Sequence, residues 1–490
     1  MPDSRFAPRP LLLLTAVMAL AMAWRQDASA LPAPPEGLGL RSSRTLSLDR
    51  LGAPRADLAA VSYATPWPQL LNWAHDRAAS SRVFDAGVQA AQAQSRQAWA
   101  SAWMPKVDAN ASSFRQRQTY NGLDLRIPAS SLTVSATMPL WRAAERAAAR
   151  AQEAVLDQAQ WQARGNRSSV ARDVSLAYVN AAEVAEQRRL SQAQLQLLQD
   201  QLRINDRRLQ AGAGTVLDVL ETRTRVDQAR ASLQDANTRL GTQRLLLTRL
   251  TAQSVILPQG LNAAVIDVPV VVPPQAEAES LAAARNPQVQ ETKAQIKAAQ
   301  ATLQGRRAES WQPTIDAVAQ TNRSRQAQRF DGVTEEQNTT TKAMGLQLNW
   351  ALFSGGFQQG RTQEGAALLS QAMARQDDAQ GLLEANLRDA YQTLAQARAV
   401  IDMQREVEQT AGSAFEAVKK AFTAGVRNNL DLLNAQQQIY AARQSLVSAR
   451  VAALNAQINI LALLDQLDAT SVAPLTVMFD QAPLQEQAAP

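Results

Sequence analysis

Trp103-Met104-Pro105-Lys106-Val107-Asp108 returns 208 residues later as Trp311-Gln312-Pro313-Thr314-Ile315-Asp316. Moving outward, Pro139-Leu140-Trp141 is echoed by Ala351-Leu352-Phe353 at an offset of 212. Ala211-Gly212, six residues before Asp218-Val219-Leu220, returns as Ala424-Gly425, six before Asp431-Leu432-Leu433, an offset of 213. Three anchors in one order at nearly one offset mark the duplication of a unit far longer than the roughly 20–50-residue repeats of solenoids. Each copy reads helix, strand, strand, helix, helix.

The strand pairs stand out by alternation. Val107, Ala109 and Ala111 alternate with Asp108, Asn110 and Ser112, and Leu132, Val134, Ala136 and Met138 with Thr133, Ser135 and Thr137. In the second copy Ile315, Ala317 and Ala319 form a weaker apolar row, broken by Val318, while Met344, Leu346, Leu348 and Trp350 form a clear one. The spacing predicts strands near 105–115, 131–139, 313–322 and 342–351, about 9–11 residues each, the length a tilted strand needs to cross a hydrocarbon core. Trp103, Trp141, Trp311, Trp350 and Phe353 stand where strands meet helices, as in a membrane-interface belt. Short alternating strands would also suit a soluble sandwich; the aromatic ends, the duplication and an export signal favour the membrane. Four strands cannot close a barrel, and open edges are not tolerated in lipid. Two protomers would give eight strands and a filled interior, and three would give twelve and a wet lumen.

The helical stretches carry an explicit period. Val219, Val226, Leu233, Leu240 and Leu247 recur every seven residues, as do Leu432, Ile439, Leu446, Ala453 and Ile460, the latter followed at three residues by Ala435, Ala442, Ala449, Ala456 and Leu463. Large residues at one heptad position and mainly alanine at the other suit close coiled-coil packing. Proline-free stretches at 140–209, 216–252, 353–422 and 430–467 are read as helices, with Pro68 to Ala102 and 276–311 as one further helix in each copy. Gly165, Gly360, Gly365, Gly381 and Gly412 argue against unbroken long helices.

Composition removes whole classes of function. Arg5 and Arg9 precede an apolar run from Leu11 to Ala23, with small-residue cleavage patterns ending at Ala23 and Ala30. This predicts a signal peptide at 1–30, followed by an extended leader at 31–66. No later apolar run approaches the ~20 residues of a membrane-spanning helix. The chain has no cysteine, which excludes disulfides, thiolate metal sites and a lipidated cysteine, and its single histidine cannot build a metal cluster. We expect no metal and no cofactor. A net charge of +6 with interspersed signs and no basic run among aromatics argues against nucleic acid. No nucleophile motif or paired acid and base stands out, so an enzyme is not expected. The Gly212-Ala213-Gly214 run lacks the Lys-Ser/Thr of a phosphate loop and is read as a tip turn, like Gly425.

Assembled in this order, the residues resemble the TolC family of outer-membrane factors over about 68–467. The likeness rests on the doubled plan, on Pro139-Leu140-Trp141-Arg142 and Leu352-Phe353-Ser354-Gly355-Gly356 at the strand exits, and on the Ala-Gly…Asp tips. It implies a mainly α fold with a membrane β-barrel: a homotrimeric, twelve-stranded outer-membrane barrel, continued by a long periplasmic α-helical coiled-coil barrel. The expected organisation is a first repeat at 67–258, a linker at 259–275, a second repeat at 276–468 and a C-terminal tail at 469–490. The resemblance also implies outer-membrane lipid around the strands, a periplasmic adaptor protein and an inner-membrane pump, ABC-type or other.

In that family the periplasmic entrance is held shut near the tips by polar links. The matching positions are Asp218 and Arg427, with Arg427 of one protomer expected to pair with Asp218 of its neighbour. Phe422 replaces a hydroxyl-bearing tyrosine and Asn434 a second acidic residue, leaving Asp431 to form a single acidic ring. The expected function is the exit duct of a type I secretion system for a large polypeptide such as a repeat-in-toxin protein. Small-molecule efflux is the alternative, and a periplasmic coiled-coil scaffold the alternative of another class.

Overall fold

The computed structural model describes residues 64–480 apart from 121–122, 263, 266 and 331–332. The signal peptide, nearly all of the leader and residues 481–490 of the tail lie outside the described residues. The first copy runs α1 (Trp67–Arg77), α2 (Ala79–Trp103), β1 (Lys106–Tyr120), β2 (Leu123–Trp141), α3 (Ala143–Gln210) and α4 (Val216–Thr251). The second runs α5 (Gln275–Arg285), α6 (Pro287–Trp311), β3 (Thr314–Phe330), β4 (Val333–Asn349), α7 (Phe357–Thr423) and α8 (Asn429–Leu463). A short helix, α9 (Ala469–Val472), and a 3-10 turn (Ala473–Met478) follow.

At ~1.5 Å per residue, the 68 residues of α3 and 67 of α7 make rods of about 100 Å. Both are unbroken, so the interior glycines do not interrupt them. Two of these glycines sit under neighbours instead: a Cβ at Gly365 would lie 3.1 Å from Arg306 Cδ, and one at Gly412 3.3 Å from Ile439 Cδ1. Close helix approach outweighs the ~1 kcal/mol propensity cost of glycine. Along α3 pack α2 and α6 towards the sheet, and α4 and α8 towards the tip. The heptad positions of α8 are buried at Leu432, Ile439, Ala453 and Ile460, together with Ala435, Ala442, Ala449 and Ala456. By composition α8 is apolar enough to cross a bilayer, which a search for uninterrupted apolar runs passes over; its apolar face is the coiled-coil seam.

Each helix expected before a strand pair is in fact two. The first breaks at Ala78 and the second at Asn286, 208 residues later. Asn286 accepts from the backbone N–H of Gln288 and Val289, with Pro287 opening the new helix. The main core lies beside these breaks. Trp67 stacks on Tyr178 at 5.8 Å between ring centres, meets Phe479 edge-on at 5.7 Å, and donates to Ser175 Oγ at 3.0 Å.

The four strands form one antiparallel sheet in the order β1-β2-β3-β4, so β2–β3 pairing joins the two copies. Among the described residues, the outer edges of β1 and β4 have no partner strand. At 15, 19, 17 and 17 residues the strands exceed the expected 9–11. Beyond Ala111, Leu132, Ala319 and Met344 the apolar row gives way to Ser113, Ser130, Thr321 and Lys342, so the alternation fades while backbone pairing continues.

Register sorts the side chains. Val107, Ala109, Ala111, Leu132, Val134, Ala136, Met138, Ile315, Ala317, Ala319, Met344, Leu346 and Leu348 share one face. Asp108, Asn110, Ser112, Thr133, Ser135, Thr137, Asp316, Gln320, Gln347 and Asn349 share the other, with Val318 among them opposite Thr137 and Gly345. The far end of the apolar face steps along the sheet. On β1 it is Ala111, level with Arg323, and on β4 it is Met344, level with Ala319, four residues lower on β3. At ~3.3 Å per residue and ~4.8 Å per strand, this slope equals a strand tilt of about 40°, the tilt of closed barrels.

Candidate functional site

Two regions carry the residues that sequence reasoning singled out: the collar where strands become helices, and the far tips of the helices.

At the collar, the β2–β3 ladder shifts register between Pro139 and Trp141, which face Asp316 and Ile315. This bulge at Leu140 turns Trp141 onto the apolar face, beside Ile315. The same turn lets Arg142 grip Asp316 with both oxygens, Nε to Oδ1 at 2.7 Å and a terminal nitrogen to Oδ2 at 2.9 Å. Asp316 is buried, so the pair fixes where α3 leaves the sheet. Arg146 lies over the Trp103 ring at 4.0 Å and the Trp141 ring at 5.5 Å, and donates to the Leu140 carbonyl at 2.9 Å. Trp103, Trp141, Trp311, Trp350 and Phe353 are all exposed in the single chain, Phe353 at 91%.

At the tips, α3 and α7 end in the same way. Gly212 and Gly425 take φ of +71° and +77°, a conformation that costs an L side chain. Gly212 donates to the Leu209 carbonyl and Ala213 to that of Arg208; Gly425 donates to Phe422 and Val426 to Ala421. Both are Schellman turns. The next helices open with capping boxes, Thr215 with Asp218 and Asn428 with Asp431. Asp218 is thus a capping residue: its Oδ2 accepts from the Thr215 backbone at 3.2 Å and hydroxyl at 2.7 Å. Within the chain Arg427 reaches Asp431, at 3.6 Å, and not Asp218. Phe422 is buried, with the Arg208 guanidinium 4.7 Å from its ring centre, and Asn434 is exposed.

Sequence reasoning missed a buried polar knot just behind the tips. Asn205 on α3 donates to Thr222 Oγ1 on α4 at 2.8 Å and to Asn429 Oδ1 on α8 at 2.9 Å. Asn429 donates in turn to Thr222 Oγ1 at 3.2 Å, and Gln201 donates to Asn205 Oδ1 at 3.0 Å. The signal was present: Asn205 follows Leu198 and Leu202 at heptad spacing, and Thr222 stands between Val219 and Val226. A polar residue in an apolar seam fixes register, at a cost in stability. Around the knot, Val216, Leu217, Leu220, Val426 and Leu430 present an exposed apolar rim.

The comparisons with known proteins agree with this geometry. The family model described as outer membrane efflux protein matches twice, over residues 70–253 and 279–466. The alkaline protease secretion protein AprF of Pseudomonas aeruginosa is 28% identical over 279 residues, 56% of either chain. The proteases secretion protein PrtF of Dickeya chrysanthemi is 26% identical over 60% of this chain and 64% of its own. The matched regions therefore span little more than half of these relatives. Among solved structures, the Campylobacter jejuni CmeC outer membrane channel superposes with a TM-score of 0.70 at 15% identity, covering 92% of this chain and 98% of that one. With the doubled match and the same fold of membrane strands and long helices, the chain belongs to the outer membrane efflux protein family, the TolC-type channels of the bacterial outer membrane.

Proposed function

We propose that this protein is the outer-membrane exit duct of a type I secretion system, passing a large polypeptide from the periplasmic side to the outside. The observation that carries the reading is the sheet with two open edges continuing into helices of about 100 Å. Lipid does not tolerate unpaired strand edges, so β4 of one protomer pairs with β1 of the next. Three copies give twelve strands, with the Asp108 and Asn110 face lining a wet lumen and the Leu346 face in lipid. The rods extend this lumen into the periplasm. The exposed apolar rim at the tips supports docking of a periplasmic adaptor, which links the duct to an energised inner-membrane pump.

For the closed entrance, Arg427 exchanges Asp431 of its own chain for Asp218 of the neighbour, which uses one oxygen for its cap and has a second to accept with. Each such solvated pair is worth ~0.2–1 kcal/mol, and three copies bias a gate that an adaptor can still open. Asp431, with Asn434 neutral, forms one acidic ring, so block by cations is weaker than with two.

Similarity to AprF and PrtF, both described as protease secretion proteins, supports a polypeptide cargo. The test compares culture medium from intact and deletion strains by mass spectrometry. Loss of one large polypeptide is expected; an unchanged set of secreted proteins with raised sensitivity to toxic small molecules would favour efflux instead, which the family description supports.

A further inference from the structure

Beyond the apolar band, the sheet sorts charge by face. On the face that carries Leu132 and Leu346, the next outward positions include Arg115, Arg323, Arg325 and Lys342. All four are exposed. On the opposite face the same levels hold Ser112, Phe114, Asn322, Ser324, Gln326 and Thr339, with no cation among the described residues. Indifferent extracellular polarity would scatter lysine and arginine over both faces. At these levels, among the described residues, they stand only on the face of Leu132 and Leu346.

Their height is equally restricted. Corrected for the ~40° tilt, the four cations fall within about three residues of one level, about 5–12 Å above the upper edge of the apolar band. The anion nearest to them on that face, among the described residues, is Glu336, farther from the membrane. The apolar rows themselves are short: three outward residues on β1, from Val107 to Ala111. Long cationic side chains just beyond such a band lie at headgroup depth and reach into the headgroup layer.

We propose that Arg115, Arg323, Arg325 and Lys342 form a basic belt, twelve cations in the trimer, that binds the phosphate groups of an anionic glycolipid in the outer leaflet. Arginine suits this role because its guanidinium forms paired hydrogen bonds with phosphate oxygens. Arg325 Nε donates to Oδ1 of its cross-strand neighbour Asn338 on β4 at 3.0 Å, which holds the guanidinium on this face of the sheet. The belt rests on the barrel reading above, which decides which face meets lipid.

The test uses the detergent-purified full-length oligomer. Its thermal midpoint is measured with added phosphorylated outer-leaflet glycolipid, with the same lipid after enzymatic dephosphorylation, and with inorganic phosphate alone. The expected result is a rise in midpoint with the phosphorylated lipid only. Equal effects of both lipids, or protection by inorganic phosphate alone, would overturn the proposal without any variant. In parallel, the variant R115Q/R323Q/R325Q/K342Q is purified from outer membranes and its co-purifying glycolipid is weighed against total phospholipid. Each cation at an anionic surface changes affinity about fivefold, so retention should fall at least about tenfold. Undiminished retention sinks the belt. Fractionation of the wild-type protein separates the two ideas: if it is absent from the outer membrane, the barrel reading itself fails; if it is present and indifferent to lipid phosphate, only the belt does.

Discussion

Asn205, Thr222 and Asn429 satisfy one another inside a seam that is otherwise apolar, and this makes each expensive to remove. Asn205→Ala strands two buried partners, so it should cost about 1–3 kcal/mol in thermal unfolding. Asn434→Ala, on an exposed position of the same helix as Asn429, should change stability by no more than ~0.5 kcal/mol. At the same scale, Arg427→Ala removes the proposed link across the entrance and should raise single-channel conductance in planar bilayers; an unchanged conductance would show that the pair does not gate. The tip turns were readable in advance because glycine before a capping Asp is a local signal. The knot was only half readable: Asn205 and Thr222 interrupt the heptads, but Asn429 follows Asn428 and reads as part of the cap, and its partners are more than 200 residues away. The cap also explains why Asp218 stands where it does within one chain, independently of any gate.

At the scale of elements, the Arg142–Asp316 pair ties the start of α3 to β3 and so to the second copy. Arg142→Ala leaves a buried carboxylate without its partner, a loss of about 3 kcal/mol. We expect the detergent-resistant oligomer to dissociate at a clearly lower temperature, with Arg142→Lys rescuing only in part, since one ammonium cannot hold both oxygens. A gel series over temperature reads both. The strand pairs were legible in their apolar rows and illegible beyond them, because hydrogen-bonded pairing needs no apolar side chain to continue. The helix breaks show the same asymmetry between copies. Asn286-Pro287 announces a stop and a start, whereas Ala78 lies in an alanine-rich run whose helical propensity is overridden by the packing of Trp67, Leu70 and Leu71 into the core. The bulge at Leu140 carried no such signal; a simple alternation from Met138 would have turned Trp141 to the lumen.

For the whole molecule, the open edges of β1 and β4 make the single chain an incomplete object. Unheated outer-membrane extracts should show a band near three times the mass of one processed chain, itself below the 53.1 kDa of the full sequence, collapsing to one chain on boiling. A band that stays monomeric without heating would contradict closure by three copies. The doubled plan was the most legible feature of all, since it needs only self-comparison of the sequence, and the tilt was the least, since it emerges only once register is known. One consequence concerns symmetry. A closed wall of six hairpins could be built from six identical half-length chains, with every seam alike. Joining hairpins in pairs makes alternate seams different: β2–β3 forms within a chain whatever the protein concentration, while β4–β1 waits for an encounter. Each kind of seam is then free to diverge, and the Leu140 bulge sits on the intramolecular one. In the proposed ring, joining hairpins in pairs thus leaves three units with an inside order of assembly in place of six equivalent parts.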